Sequence, residues 1–217
     1  MPKVLIKFLL DLFYPPTCYN CSVFIRQGAV FCEKCLSLIK PVPEKIIAIN
    51  ERYSMSIHAA SLYEEPVNKL ILRKFASDRS ATKALASIIV QFSDIKKIKT
   101  DCVIPIPLHW SRYAKRGFNQ VDLLAEELSK ELNVPVLNIL ERVKKTEFQS
   151  RLSSDEKKKN LQGAFRFSKK FNIKLLENKT VLLVDDLLTT GSTLKSAASL
   201  LSLAKPGSIV AVVGCRF

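Results

Sequence analysis

The chain has 217 residues, 47% of them apolar, enough for one full-sized α/β domain with a small appendage and too many for extensive disorder. Charged residues interrupt every long apolar stretch, which argues against a bilayer-spanning helix and for a soluble protein. Thirty-four Lys and Arg against twenty Asp and Glu leave a formal charge of +14, so an anionic partner is expected.

The first thirteen residues, Met1 to Phe13, have the look of a signal peptide, but Asp11 breaks the apolar run and no small-residue cleavage site precedes Pro15-Pro16. A short amphipathic helix packed on the protein is expected. The second reading is peripheral membrane association, with Lys3 and Lys7 facing lipid head groups. Next come two CxxC pairs separated by ten residues, Cys18 with Cys21 and Cys32 with Cys35. Each turn can present two thiolates to one ion, so the spacing points to a tetrahedral, structural zinc site. Two disulfides or a redox-active pair are the alternatives, less suited to a chain without secretory features. Cys102 and Cys215 stand among apolar neighbours and read as core residues.

Pro41-Val42-Pro43 marks a linker, giving two expected domains: residues 1–43 with the helix and a four-cysteine zinc ribbon, and residues 44–217 as an α/β domain. Within the second, a strand is expected around Ile57 to Leu62, helices from Pro66 to Phe75 and from Ala81 to Phe92, and a strand from Cys102 to Ile106. A helix follows from about Asn119, with Val121, Leu123, Leu124, Leu128 and Leu132 on its apolar stripe. Strands return at Val181–Val184 and Ser208–Val213, with a helix from Ser192 to Leu203 between them. This alternation predicts a parallel sheet. Glu141 to Leu175 holds eleven basic residues against four acidic ones, half of the net excess, and reads as short of regular structure until Phe165.

The strand Val181–Val184 delivers Asp185 and Asp186 to the carboxyl edge of the sheet, where parallel sheets bind ligands. Leu187, Leu188, Thr189, Thr190, Gly191, Ser192 and Thr193 follow. Their hydroxyls, the permissive glycine and the start of a helix make a phosphate site. The two carboxylates would repel that phosphate, so they suit hydroxyls or a magnesium ion instead. A ribose 5-phosphate meets both demands. No Gly-Lys-Ser or Gly-Lys-Thr is present, so this is not a P-loop.

Val181 to Thr193 resembles the 5-phosphoribosyl-1-pyrophosphate (PRPP) signature of type I phosphoribosyltransferases. A wider resemblance runs from Leu12 to Arg216. It rests on Leu12-Phe13-Tyr14-Pro15-Pro16, Val103-Ile104-Pro105-Ile106-Pro107-Leu108, Arg116-Gly117-Phe118-Asn119-Gln120, Thr146 with Gln149, and Asn160 with Gly163-Ala164-Phe165. These residues resemble the ComF family of competence proteins, which join an N-terminal zinc ribbon to a phosphoribosyltransferase-like domain. The family is associated with uptake of single-stranded DNA in natural transformation. The resemblance implies a pyrophosphate loop at Ile106, Pro107 and Leu108, PRPP with magnesium at Asp185 and Asp186, and leaving-group contacts from Arg116 and Lys74. Lys157 stands where the family usually has Arg, keeping the charge but losing the bidentate fork.

His109 is expected beside the pyrophosphate loop and His58 in packing. Trp110, Tyr113 and Phe118 alternate with Arg112, Lys115 and Arg116, an interleaving that suits single-stranded nucleic acid as well as ordinary packing. The leading expectation is a cytoplasmic competence factor that binds PRPP and single-stranded DNA alongside other DNA-uptake proteins. The rivals are a true phosphoribosyltransferase with a nitrogenous acceptor, and a regulator that senses PRPP.

Overall fold

In a computed structural model of the chain, residues 15–75, 79–108, 119–143 and 163–217 are described. The main strands are β1 (Lys45–Ala48), β2 (Ser54–Leu62), β3 (Cys102–Pro105), β6 (Thr180–Val184) and β8 (Ser208–Arg216), joined in the order β1-β2-β8-β6-β3. Strand β7 (Leu187–Leu188) adds to the end of β8, and β4 (Leu140–Arg142) pairs with β5 (Phe165–Phe167) in a separate antiparallel ladder.

From β2 to β3 the main sheet is parallel, as expected. The edge strand β1 is antiparallel to β2, however, so the sheet is mixed. The cause is local: the Asn50 side chain accepts hydrogen bonds from the backbone N–H of Arg52 and Tyr53, at 3.0 and 2.9 Å, and turns the chain back on itself. Such a hairpin needs no crossover helix.

Alternation along the strands fills both faces. Val181, Leu183, Ile209, Ala211 and Val213 point to one core; Leu182, Val184, Val210 and Val212 point to the other. The second core is closed by α2 (Val67–Phe75), α3 (Arg79–Phe92) and α4 (Gln120–Leu132), with the short α1 (Glu33–Leu36) of the cysteine segment beside them. The first is closed by α5 (Ser192–Leu201) and the β4–β5 ladder. On α3, Leu85, Ile88 and Ile89 are fully buried, so truncating Leu85 to Ala would cost about 2–5 kcal/mol. Helices α2 to α5 lie within two residues of their expected starts.

The cysteine segment is continuous with this framework. Cys18, Phe31, Cys35 and Ile39 belong to the same buried cluster as Leu70, Ile71 and Leu85. Tyr19 donates its hydroxyl to Ser80 Oγ at 2.9 Å, and the Arg73 guanidinium lies 5.1 Å from its ring centroid. Cys102 and Cys215 are buried in the sheet, as expected; burial, helped by Asp101, pushes the Cys102 thiol up to about 11. His58 is mostly buried in β2, with Nε2 3.5 Å from the Glu44 carboxylate. No helix among the described residues is long and apolar enough to cross a membrane.

Candidate functional site

The carboxyl edge of the sheet carries the loop singled out in the sequence, and backbone hydrogen bonds hold it in shape. Asp185 N–H donates to Val212 O at 3.1 Å, and Asp186 O accepts from Gly214 N–H at 3.0 Å. Asp186 N–H donates to the Asp185 carboxylate at 2.9 Å, tightening the turn. The chain then rejoins β8 through β7, where Phe217 N–H donates to Leu188 O at 3.1 Å. Asp185 and Asp186 are half-buried at the edge, while Thr189 and Thr190 are exposed.

Gly191 makes the next step possible. Its φ is +79°, a backbone conformation that favours glycine, and a Cβ there would stand 2.7 Å from Ile47 Cδ1 at the tip of that side chain, which would have to shift. Helix α5 starts at Ser192 with Gly191 as its cap, and the Thr190 and Ser192 hydroxyls meet at 2.6 Å. Helix dipole, first-turn N–H groups and hydroxyls together favour an anion at this point. A hollow of about 20 Å³ lies among Asp185, Thr189, Ser192 and Thr193. On the other side of the Thr190–Ser192 turn, a cleft of about 490 Å³ runs along α5 between Ile47 and Phe165.

Pro107 and Leu108 follow β3 on the same edge, tied to β6 by Ile106 N–H donating to Val184 O at 2.9 Å. Asn119 clamps this second loop to α4. Its side-chain N–H donates to Ile106 O at 3.3 Å and to Asp122 Oδ1 at 2.7 Å, and its Oδ1 accepts from Val121 N–H. A hollow of about 140 Å³ lies between Pro107, Leu108 and Asp122. Burial pushes the Asp122 carboxyl up to about 6; the Asn119 amide works against that and Glu126 adds to it.

The four clustered cysteines converge: all four Sγ atoms lie within 4.8 Å of one another. The chain turns tightly here, with Cys18 N–H donating to Val23 O at 2.8 Å and Ser22 N–H to Cys18 O at 3.0 Å. Burial opposes ionisation of Cys18, but backbone N–H groups of Cys21, Cys32 and Asn20 outweigh it and bring the thiol down to about 6. At Cys35 the Asn20 amide favours the thiolate, donating to Sγ at 3.4 Å, yet burial and the three neighbouring thiols push it up to about 12. Crowded sulfurs resist sharing negative charge until a cation joins them. The set can therefore hold a metal ion such as zinc.

Asp185 through Thr193, Pro107 and Leu108 are thus gathered along one edge, and the cysteines form a separate cluster on the α2–α3 face. Lys74 lies at the end of α2, but its side chain is outside the described residues. So are His109, Trp110, Tyr113, Arg116, Phe118, Thr146, Gln149, Lys157 and Asn160, and the expected helix over Met1 to Phe13. The basic segment departs from expectation at its start, where Leu140–Arg142 forms β4; these residues pair with Phe165–Phe167, too far along the chain for a local pattern to announce. Sequence reasoning also missed Asp122, which stands three residues after Asn119 at α4's first turn, and Ile47 against Gly191.

Residues 114–216 match the phosphoribosyl transferase domain family. Competence protein F of Haemophilus influenzae is 34% identical, over 86% of this chain and 78% of the relative. Competence protein ComFC of Streptococcus pneumoniae is 32% identical, over 85% and 80%. DNA utilization protein YhgH of Salmonella typhimurium is 29% identical, over 85% and 77%. The chain therefore belongs to the ComF family of competence proteins, with a type I phosphoribosyltransferase fold and an N-terminal cysteine cluster that fits a zinc ribbon.

Proposed function

We propose that this chain is a cytoplasmic competence factor that binds PRPP with magnesium and handles single-stranded DNA during natural transformation. The observation that carries the PRPP reading is the loop itself, where two half-buried carboxylates precede a glycine-capped helix start. In this reading the 5-phosphate sits at Thr189 to Thr193, and Asp185 and Asp186 take the ribose hydroxyls, directly or through magnesium. Magnesium would neutralise the pyrophosphate, with Pro107 and Leu108 beside it and Arg116 and Lys74 contributing charge. Residues 44–217 form this part, and residues 1–43 a ribbon held by structural zinc. The names of the relatives supply the competence role, and the charge of +14 supports a nucleic-acid partner.

The cleft of about 490 Å³ beside the loop favours a second reading, an active phosphoribosyltransferase whose acceptor base lies against Phe165 and Ile47. Incubating the protein with PRPP, magnesium and a panel of bases separates the two. PRPP binding without pyrophosphate release favours the competence factor or a PRPP-sensing regulator over the transferase, whereas acceptor-dependent release supports the transferase. Binding to single strands is tested by filter binding across a salt series, with a log-log slope of about −0.7 per neutralised phosphate. Changing Lys157, Lys158 and Lys159 to Glu flattens that slope. Absence of salt-sensitive binding removes DNA from the function.

A further inference from the structure

Strands β2, β8 and β6 are parallel neighbours, so the residues that follow them stand side by side on one edge. After β6 come Asp185 to Ser192, after β8 comes Phe217, and after β2 comes Tyr63. The last two rings stack on each other, with centroids 4.6 Å apart and planes 25° from parallel. Backbone hydrogen bonds fix both: Tyr63 N–H donates to Arg216 O at 2.8 Å, and Phe217 N–H donates to Leu188 O at 3.1 Å. The pair is therefore anchored to the phosphate loop.

Phe217 is nonetheless 68% exposed, and Leu62 beside it is 41% exposed. One face of the Phe217 ring rests on Tyr63. A large apolar ring left open on a ligand-bearing edge is a ready partner for another flat, apolar surface.

We infer that Phe217, backed by Tyr63, is a stacking platform for a base of single-stranded nucleic acid. This rests on the nucleic-acid part of the function proposed above and names a surface for it. Three features select a strand over a free base. The ring lies open instead of lining an enclosed pocket, so a lone base would gain little, whereas a strand adds phosphate contacts to each stacked base. The net charge of +14 supplies attraction for phosphates, and Arg216 immediately precedes Phe217 in the chain. Strands lie about 4.8 Å apart in a sheet, which puts the ring one to two spacings from the phosphate loop, within the span of a nucleotide. Exposed Glu64 after Tyr63 disfavours a phosphate there, which leaves the ring face for the base.

The test measures binding of the full chain and of Phe217→Ala to an oligothymidine strand and to a strand of the same length made of abasic sites, at several salt concentrations. Phe217→Ala should weaken oligothymidine binding about five- to tenfold with the salt slope unchanged. It should leave the abasic strand unaffected, and Phe217→Trp should restore affinity. Because the ring is exposed, the variant should melt with the wild type. Equal oligothymidine affinity for wild type and Phe217→Ala, or an equal loss on the abasic strand, overturns the platform while leaving DNA binding intact. A wild-type chain that binds neither strand overturns the nucleic-acid reading and the platform together.

Discussion

The cysteine cluster and the phosphate loop both gather like charge at one point, but they are held together in opposite ways. In the cluster, side chains converge: four sulfurs within 4.8 Å, with Cys35 pushed up to about 12, are stable as ligands only around a cation. In the loop, the backbone converges first. Hydrogen bonds from Asp185 to Val212, Gly214 to Asp186 and Phe217 to Leu188 shape the turn through main-chain groups alone. Losing the metal should therefore cost folding, whereas altering the loop's side chains should cost binding.

The largest expected effect lies on the metal side. Changing Cys18 and Cys21 to Ser should abolish binding of about one zinc per chain and lower the melting temperature by about 10 °C or more. Because Cys18, Cys35 and Phe31 share a core with Leu70, Ile71 and Leu85, hydrogen exchange should quicken in α2 and α3 before it does in β6 and β8. Less than a third of a zinc per freshly purified chain, with no chelator used, would contradict the zinc assignment.

Gly191→Ala sharpens the comparison from the loop side, since here the backbone itself is altered. Forcing a Cβ into φ +79° costs about 1–2 kcal/mol, roughly 2–8 °C of melting temperature for a chain of this size. Adding Ile47→Ala removes the 2.7 Å clash but not the dihedral strain, so stability should return only in part. Full recovery in the double variant would show that crowding alone demands the glycine.

Both regions could be read in the sequence because their signals are local: paired CxxC turns, and a run of thirteen residues from strand to helix. Strands β3, β6 and β8 and the long helices were equally legible, since each carries its own periodicity. Pairings between distant segments were not. The β4–β5 ladder rests on three residues at each end, Leu140–Arg142 and Phe165–Phe167, and β1 is set by an Asn50 turn. The stack of Tyr63 on Phe217 joins residues from opposite ends of the α/β domain, and packing of the cysteine segment onto α2 and α3 likewise emerges only in three dimensions. Asp122 sits in an amphipathic helix as any exposed carboxylate would; only the fold reveals the Asn119 contact and the burial.

Asp122 gives the smallest effect and a defined sign. Burial lifts its carboxyl from the ordinary 3.8 to about 6, so between those pH values the folded chain holds a proton that the unfolded chain releases. Its contribution to stability thus falls as pH rises through that window and stays low above it. Asp122→Asn keeps an acceptor for Asn119 and removes the loss, so its melting temperature relative to wild type should climb between about pH 4 and pH 7, by about 2–3 °C once solvent screening of the partly exposed carboxyl cuts the full shift to about a third. A flat difference would mean that the carboxyl titrates normally.

The most direct test of PRPP binding at the carboxylate loop is a calorimetric titration of PRPP with magnesium into the wild type and into the chain with both Asp185→Asn and Asp186→Asn. Saturable binding by the wild type is expected, with at least a tenfold weaker affinity in the double variant, about 1.4 kcal/mol, and melting temperatures within a few degrees. Unchanged affinity in the double variant, or no binding by the wild type, would contradict it.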